Sequence, residues 1–368
     1  MNKLKCLLSV TVLLSLPVGC SESSHYYISM TTTHATNQEF IFTSNTYMYD
    51  LTSKKLKKVS SEPYESQYPL STYDYKNNKV YYSGSDNKEY GNSYIKQYAL
   101  STHKTSKFID YVDAINDIRI LDDHKMFIVG RLKKVKKNTM VPSIYNTKTH
   151  KINYLNWNQD SFATCTNYNP DTQELIIPHY SMSLSYKLTD DYNNGIIKNE
   201  VDSYAPITFT VVKKNKTEDV FKLNHKQLDS TYIDKDYIYY VTDKQTSITN
   251  FDLVRYDRHT KEKKKLLDGK CGYYSMNIVT VLDNIIYFIG QRSEVYELVE
   301  LDMNTNEQTV INQKLKKLLT MHNFIRNKKN MVHQHEPYFY YARIVSCNGY
   351  WLSKYCGSEL IICISFMK

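Results

Sequence analysis

The sequence is short of glycine, with 10 in 368 residues, and of tryptophan, with two. It has eight prolines, seven cysteines in no regular pattern, and no long apolar run beyond its first twenty residues. Each shortage excludes something. Without C-x-x-C spacing there is no zinc ribbon and no thioredoxin-type redox site. Cys6 and Cys20 fall in the leader. Cys165, Cys271, Cys347, Cys356 and Cys363 are an odd set, able to form two disulfides at most. Without an apolar segment near twenty residues, nothing after the leader spans a membrane as a helix. No G-x-S-x-G elbow, P-loop or dinucleotide fingerprint occurs, so catalysis has no positive sign and no cofactor is expected. The two tryptophans, Trp157 and Trp351, are too few for the repeated blade motifs of a quinone-dependent enzyme.

What is abundant is tyrosine, with 35 copies. Tyrosine suits a half-buried pleated surface, where the ring packs and the hydroxyl reaches water. At 41% hydrophobic and 23% charged, the chain is composed like a folded protein. The formal net charge is +9, but lysines alternate with acids and no nucleic-acid motif is present. No nucleic-acid partner is expected. A positive field outside a cell attracts anionic lipid or polysaccharide, or serves solubility alone.

The first twenty residues read as an address. Lys3 and Lys5 precede an apolar stretch from Cys6 to Leu16, too short to cross a bilayer and suited to a signal-peptide core. Pro17-Val18-Gly19-Cys20 follows, then polar Ser21-Glu22-Ser23-Ser24. This resembles a bacterial lipobox. Gly19 and Cys20 match it; Pro17 stands where leucine is usual, with Leu16 displaced by one. The resemblance implies a signal peptide over 1–19, diacylglycerol on Cys20 and a short tether over 20–25. The protein is then expected at the cell membrane, lipid-anchored on the extracytoplasmic face. The rival is an ordinary secretory signal with an incidental cysteine.

A repeat organises the rest. Copies of Y-D-x-x-T-x-K begin at Tyr49, Tyr98, Tyr145, Val212, Tyr256 and Leu301. Asp, Asn and Thr bond to nearby amides and favour tight turns, so each copy reads as strand, turn, strand. The beat of about 45 residues is the length of four short strands, and so of a propeller blade. One wide gap calls for an insertion, placed at 188–206. Hairpin patterns keep the same beat at 26–44, 71–84, 117–130, 166–178, 230–242, 279–290 and 322–336. Each is expected to supply two inner strands, and the Y-D-x-x-T turn to join the outer two. Seven hairpins predict an all-β propeller of seven blades over 26–346, with six or eight as alternatives. After the seventh, 337–345 reads as a third strand. No convincing helical period follows the leader. The tail at 347–368 abandons the register; it is either the last outer strand or not native sequence.

On "NPDTQELII" (169–177) and "LVRYDRHTKEKKKLL" (253–267), the chain resembles bacterial extracytoplasmic β-propellers of the TolB-like and WD-repeat-like type. The resemblance implies a scaffold whose loops bind proteins, peptides, glycans or occasionally substrates. Fold alone decides none of these. The expected role is a binding or interaction module for an envelope protein or cell-wall polysaccharide, acting as a monomer. The alternatives are an envelope hydrolase or lyase working in the channel, and an adhesin. Carboxylates and histidine meeting at one mouth would favour catalysis; tyrosine, asparagine and lysine there would favour binding.

Other candidates are local. Tyr90, Tyr94, Tyr192 and Tyr204 fall in or beside predicted loops, where tyrosine anchors partners; packing between blades competes at each. His333 and His335 project to one face of a strand and could share a metal with His322, though no third ligand is fixed. Asp190, Asp191, Asn193 and Asn194 lack the full spacing of a calcium loop. Asp122-Asp123 and Asp234/Asp236 read as turn residues.

Overall fold

The computed structural model describes residues 27–36, 41–64, 70–74, 76–85, 93–132, 140–155, 157–214, 216–243, 251–267, 273, 275–292, 295–312 and 363–367. They build six antiparallel sheets. The first holds β1 (Tyr27–Thr36), β2 (Ile41–Asp50) and β3 (Lys55–Tyr64). The second holds β4 (Ser71–Asp74), β5 (Lys79–Ser85), β6 (Ser93–Ala99) and β7 (Lys104–Ile109). The third holds β8 (Val112–Asp122), β9 (Lys125–Leu132), β10 (Met140–Asn146) and β11 (Ile152–Tyr154). The fourth starts with β12 (Ser161–Ala163) and β13 (Asn167–Asn169), which pair successive parts of β14 (Glu174–Ser181) and so act as one broken inner strand. It ends with β15 (Ile207–Lys213) and β16 (Lys216–Leu223). The fifth holds β17 (Leu228–Ile233), β18 (Tyr237–Asp243), β19 (Phe251–Asp257) and β20 (Lys263–Leu267). The sixth holds β21 (Ser275–Leu282), β22 (Ile285–Arg292), β23 (Val295–Asp302) and β24 (Gln308–Asn312). Finally β25 (Cys363–Met367) pairs with β1 and completes the first sheet.

The blade number is six, not seven. The inner strands touch in a closed cycle, β25 to β4 to β8 to β13 to β17 to β21 and back to β25, which leaves no place for another blade. The hairpin at 322–336 and the strand at 337–345 lie outside the described residues. The count overshot because the hairpin at 26–44 is not an inner pair. It forms the two middle positions of its sheet, and the chain's far end supplies the inner strand. The tail strand at 363–367 therefore sits innermost rather than outermost.

All six repeat copies join the outer two strands of a blade. In four of them the cause is a side-chain cap. Asp50 Oδ1 accepts the amides of Thr52 and Ser53; Asn146, Asp257 and Asp302 repeat the arrangement. The turn then needs one left-handed residue, which is Lys54, His103, His150, Lys261 or Asn306 at the fifth place after the copy's first. Glycine would fit there without strain, so its scarcity is met by accepting a less favourable backbone.

Adjacent blades hide each other's faces. Phe209 stacks on Phe221 at 4.2 Å within the fourth, and Phe221 meets Tyr256 of the fifth at 4.4 Å. Tyr47, Tyr49, Tyr81, Tyr82, Tyr239 and Tyr240 are all buried in such contacts. Each buried ring contributes roughly 1.5–3 kcal/mol relative to exposure, so a good part of the described tyrosine is core material. Every blade also leaves one edge strand open. Exposed lysines stand on β3 (Lys55, Lys57, Lys58), β7 (Lys104, Lys107), β16 (Lys216, Lys222) and β20 (Lys263, Lys264, Lys265). Lysine on an edge discourages pairing with another chain, so part of the positive charge follows from the architecture.

The expectation of no helix after the leader is corrected by α1 (Met182–Asn193), inserted between β14 and β15 with a 3-10 turn at Glu200–Ser203. Met182, Leu184, Tyr186 and Leu188 alternate with period two, a strand signal. Local capping overrides it: Ser181 Oγ accepts the Leu184 amide at 3.1 Å, and Asp160 Oδ1 accepts that of Ser183 at 2.8 Å. No residue of α1 is fully buried, so the sequence had no apolar stripe to show.

Candidate functional site

The inner strands β4, β8, β13, β17 and β21 end on the face that carries the short turns. Their last residues and the hairpin turns after them surround a cavity of about 360 Å³. Its wall is polar at the rim, with Asp74, Arg119, Asp122, Asp171, Asp234 and Asp236. Deeper contacts come from Thr72, Tyr168, Tyr232 and Thr280, with Val279 and Leu282 as apolar lining. Successive blades place register-equivalent residues around one axis, so a turn aspartate repeated along the sequence becomes a ring of carboxylates in space.

Most of these groups already have partners. Asp122 Oδ1 accepts the His124 amide at 2.8 Å and Oδ2 pairs with Lys125 at 2.8 Å. Asp234 Oδ1 accepts the amides of Asp236 and Tyr237 at 2.8 and 2.6 Å. Asp74 accepts from the Asn77 amide at 3.1 Å and from its Nδ2 at 2.8 Å. Arg119 Nε stands 3.1 Å from Asp117, which is itself buried and bonded to Thr166. Asp236 meets His259 Nε2 at 3.1 Å, and Lys76 meets Asp123 at 2.8 Å. Tyr232 bonds weakly to Thr280 Oγ1 at 3.4 Å.

Burial sets the electrostatics. It raises the Asp234 carboxyl above the ordinary range, against the lowering pull of its two amides and Tyr239. Burial, helped by the charge of Asp122, pushes Tyr168 up to about 12. Burial also raises Tyr232, with Asp234 and Asp171 both adding to the effect. Tyr232 thus stands in the field of two carboxylates from different blades.

The described residues among the site candidates singled out from sequence lie elsewhere. Tyr94 is 5% exposed, with Lys107 Nζ 4.5 Å from its ring, so it is packed rather than presented. Tyr192 and Tyr204 lie together on the insertion, half-buried, and Tyr204 donates to Glu200 at 2.9 Å. Cys20, Tyr90, His333 and His335 lie outside the described residues. Asp191 pairs with Lys187 at 2.7 Å on α1, as a helix surface does. Among the described residues no group of three or more His, Cys, Asp or Glu could hold a metal ion. The insertion follows the second strand of its blade, so it belongs to the face opposite the mouth. Sequence reasoning read Asp122, Asp234 and Asp236 as turn residues, which their bonds support, but did not gather them. The available signal was the equal position of Asp122 and Asp234 at the end of the first strand of their hairpins.

No family model matches the sequence, and no curated protein matches it. Among solved structures the chain is similar to TolB from Acinetobacter baumannii, with a TM-score of 0.53 at 14% identity. That match covers 77% of this chain and 62% of the TolB chain, less than two thirds of it. It is also similar to the β-propeller domain of the Trilobed protease from Pyrococcus furiosus, at TM-score 0.47 and 12% identity over 78% and 92% of the two chains. A chain of a Nidogen/Laminin complex gives TM-score 0.49 and 8% identity over 79% and 95%. At such identities the likeness is one of fold. In fold, this chain is a TolB-like β-propeller of six blades.

Proposed function

We propose that the protein is a lipid-anchored binding module of the cell envelope, and that the channel mouth on its turn face takes a segment of an envelope protein or a cell-wall glycan. The observation that carries this reading is the cavity of about 360 Å³, to which five of the six blades contribute. Its size falls within the range of specific ligand pockets. Its carboxylates cap turns through backbone amides, so they are held in fixed positions. Tyrosine, asparagine and threonine between them supply donors and acceptors in fixed positions.

The anchor reading fits the same face. β1 begins at Tyr27, which pairs with Asp50 at the start of an outer turn. β1 therefore begins on the side of the mouth. Seven residues span roughly 25 Å at full extension, so a lipid on Cys20 would keep the mouth close to the membrane.

The test is a photocrosslinking amino acid placed at Lys235, on the mouth, or at Tyr186, on α1, in the membrane-bound protein. A discrete adduct with one envelope component from Lys235 supports the site. Adducts from Tyr186 only would move the binding surface to the opposite face, and adducts from neither would end the reading. Cys20→Ser should release the protein from the membrane fraction; retention of that variant would remove the anchor.

A further inference from the structure

We infer that the mouth of the channel binds an alkylammonium group, either a lysine side chain of a partner segment or a free linear amine. This rests on the binding site proposed above and adds the chemistry of its ligand.

The argument begins with charge. Among the lining residues, Arg119 is neutralised by Asp117, Lys76 by Asp123, and Asp122 by Lys125. Asp236 faces His259, which is charged only when protonated. Asp74 and Asp171 form no ion pair among the described residues, nor does Lys235, while Asp234 lies in the field of Arg258. Two carboxylates from two blades, Asp74 and Asp171, thus face one exposed lysine on a flexible stem, with Asp234 shared between the mouth and Arg258. The mouth is left negative in a chain whose net charge is +9.

A second observation is independent of charge. Thr72 lines the cavity, is 1% exposed, and its Oγ1 has no hydrogen-bond partner among the described residues. A buried hydroxyl without a partner is costly, and a donor entering the cavity would satisfy it. An ammonium carries three donors and no acceptor, which matches a hydroxyl oxygen and carboxylates together. Tyr168 and Tyr232 also line the same space, and an aromatic ring attracts a cation placed over its face. The volume of about 360 Å³ suits one extended side chain or short amine rather than a folded domain. The raised proton affinity of Asp234 agrees, because a buried carboxylate gains most from a cation brought beside it.

The experiment is calorimetric titration at low salt with the intact soluble part of the chain. The probes are a neutral-capped peptide with one lysine, the same peptide acetylated on that lysine, and spermidine. The lysine peptide or spermidine should bind and the acetylated peptide should not. Binding by spermidine alone assigns the source to a free amine, and binding by the peptide assigns it to a partner segment. Asp234→Asn, which keeps the oxygen that caps the turn, combined with Asp171→Asn, should weaken binding about tenfold or more. Asp190→Asn removes one carboxylate on the opposite face and should change nothing. Equal binding of the acetylated peptide, equal loss in Asp190→Asn, or no binding by any amine would overturn the inference. A crosslink at Lys235 with no amine binding would leave the site standing and remove only this chemistry.

Discussion

The two faces of the ring are built by different means. On the turn face, several connections are short and closed by their own residues: Asn146 caps amides two and three places on, and so do Asp50 and Asp302. On the opposite face, order comes from contacts between segments distant in sequence. Tyr273, in the connection before β21, lies so close to Gly290 that a Cβ there would sit 2.3 Å from the ring. Trp157, before β12, packs 4.8 Å from His179 of β14. One face is written in local hydrogen bonds and the other in tertiary packing. Substitutions should therefore be cheap on the first face and costly on the second.

The largest effect should break that rule. Arg258 lies on the turn face, yet it bonds Glu174 at 2.7 Å across to the fourth blade and the carbonyls of Asp234 and Lys235 at 3.1 and 2.9 Å. Arg258→Ala would leave Glu174, whose side chain is 8% exposed, with Lys213 and Thr172 only. Loss of one partner of a buried pair costs about 3–5 kcal/mol, and denaturant midpoints at unchanged slope would measure it. The pH dependence has a definite sign. Burial alone would raise the Glu174 carboxyl, but bonds from Arg258, Thr172 and Lys213 and the Arg258 charge hold it at about 2. A depressed carboxylate stabilises the fold above its unfolded pKa, near 4.5, and loses that contribution as pH falls towards 2. Arg258→Ala should flatten the stability profile in that window. An unchanged profile would mean that the blades do not depend on this pair.

Next comes Gly290→Ala. The close atoms are Cδ1, Cε1 and Cγ of Tyr273, at the base of a ring that is 1% exposed and has little room to move. Overpacking of this kind costs about 1–3 kcal/mol. The double variant with Tyr273→Leu should recover part of it. A loss below that of a single turn cap would show that the opposite face is no more tightly packed than the turn face.

These cases mark what was legible in the sequence. The Asp or Asn cap acts within three residues, so the outer turns, the repeat beat and the all-β class could be read directly. Blade number could not be read that way. The partner of β1 is β25, more than three hundred residues away, and nothing in the composition of either announces the pairing. The helix α1 was hidden because its apolar residues alternate with period two while Ser181 and Asp160 set its start. The mouth was half legible. Its aspartates were visible as turn residues, but their meeting on one axis is a property of the closed ring. Arg258 sits in the most conspicuous repeat copy, and its bond to Glu174 follows from blade adjacency that no local pattern carries.

A smaller effect sharpens the local side of the comparison. Asn146→Ala removes the acceptor for the amides of Lys148 and Thr149, at 3.0 and 2.7 Å. By analogy with helix caps it should cost about 1 kcal/mol. Asn146→Asp keeps the acceptor and should cost less. The two variants are compared by the same denaturant midpoints, and equal losses would mean that the cap oxygen is not what holds the turn.

The smallest effect has the opposite sign. Lys261 holds φ at 65° in the turn between β19 and β20, and its side chain is exposed. A left-handed backbone costs an L-residue about 1–2 kcal/mol relative to its preferred regions. Glycine avoids that cost but loses about 0.5–1 kcal/mol through the greater freedom of its unfolded chain. Lys261→Gly should therefore stabilise by about 0.5 kcal/mol, and Lys261→Asn by less. The same exchange at Lys54, with φ of 55°, should add to it, because the two turns belong to different blades. If both exchanges destabilise instead, the lysines hold these turns by contacts of their own. The poverty in glycine would then be part of how the face is built rather than a strain it tolerates.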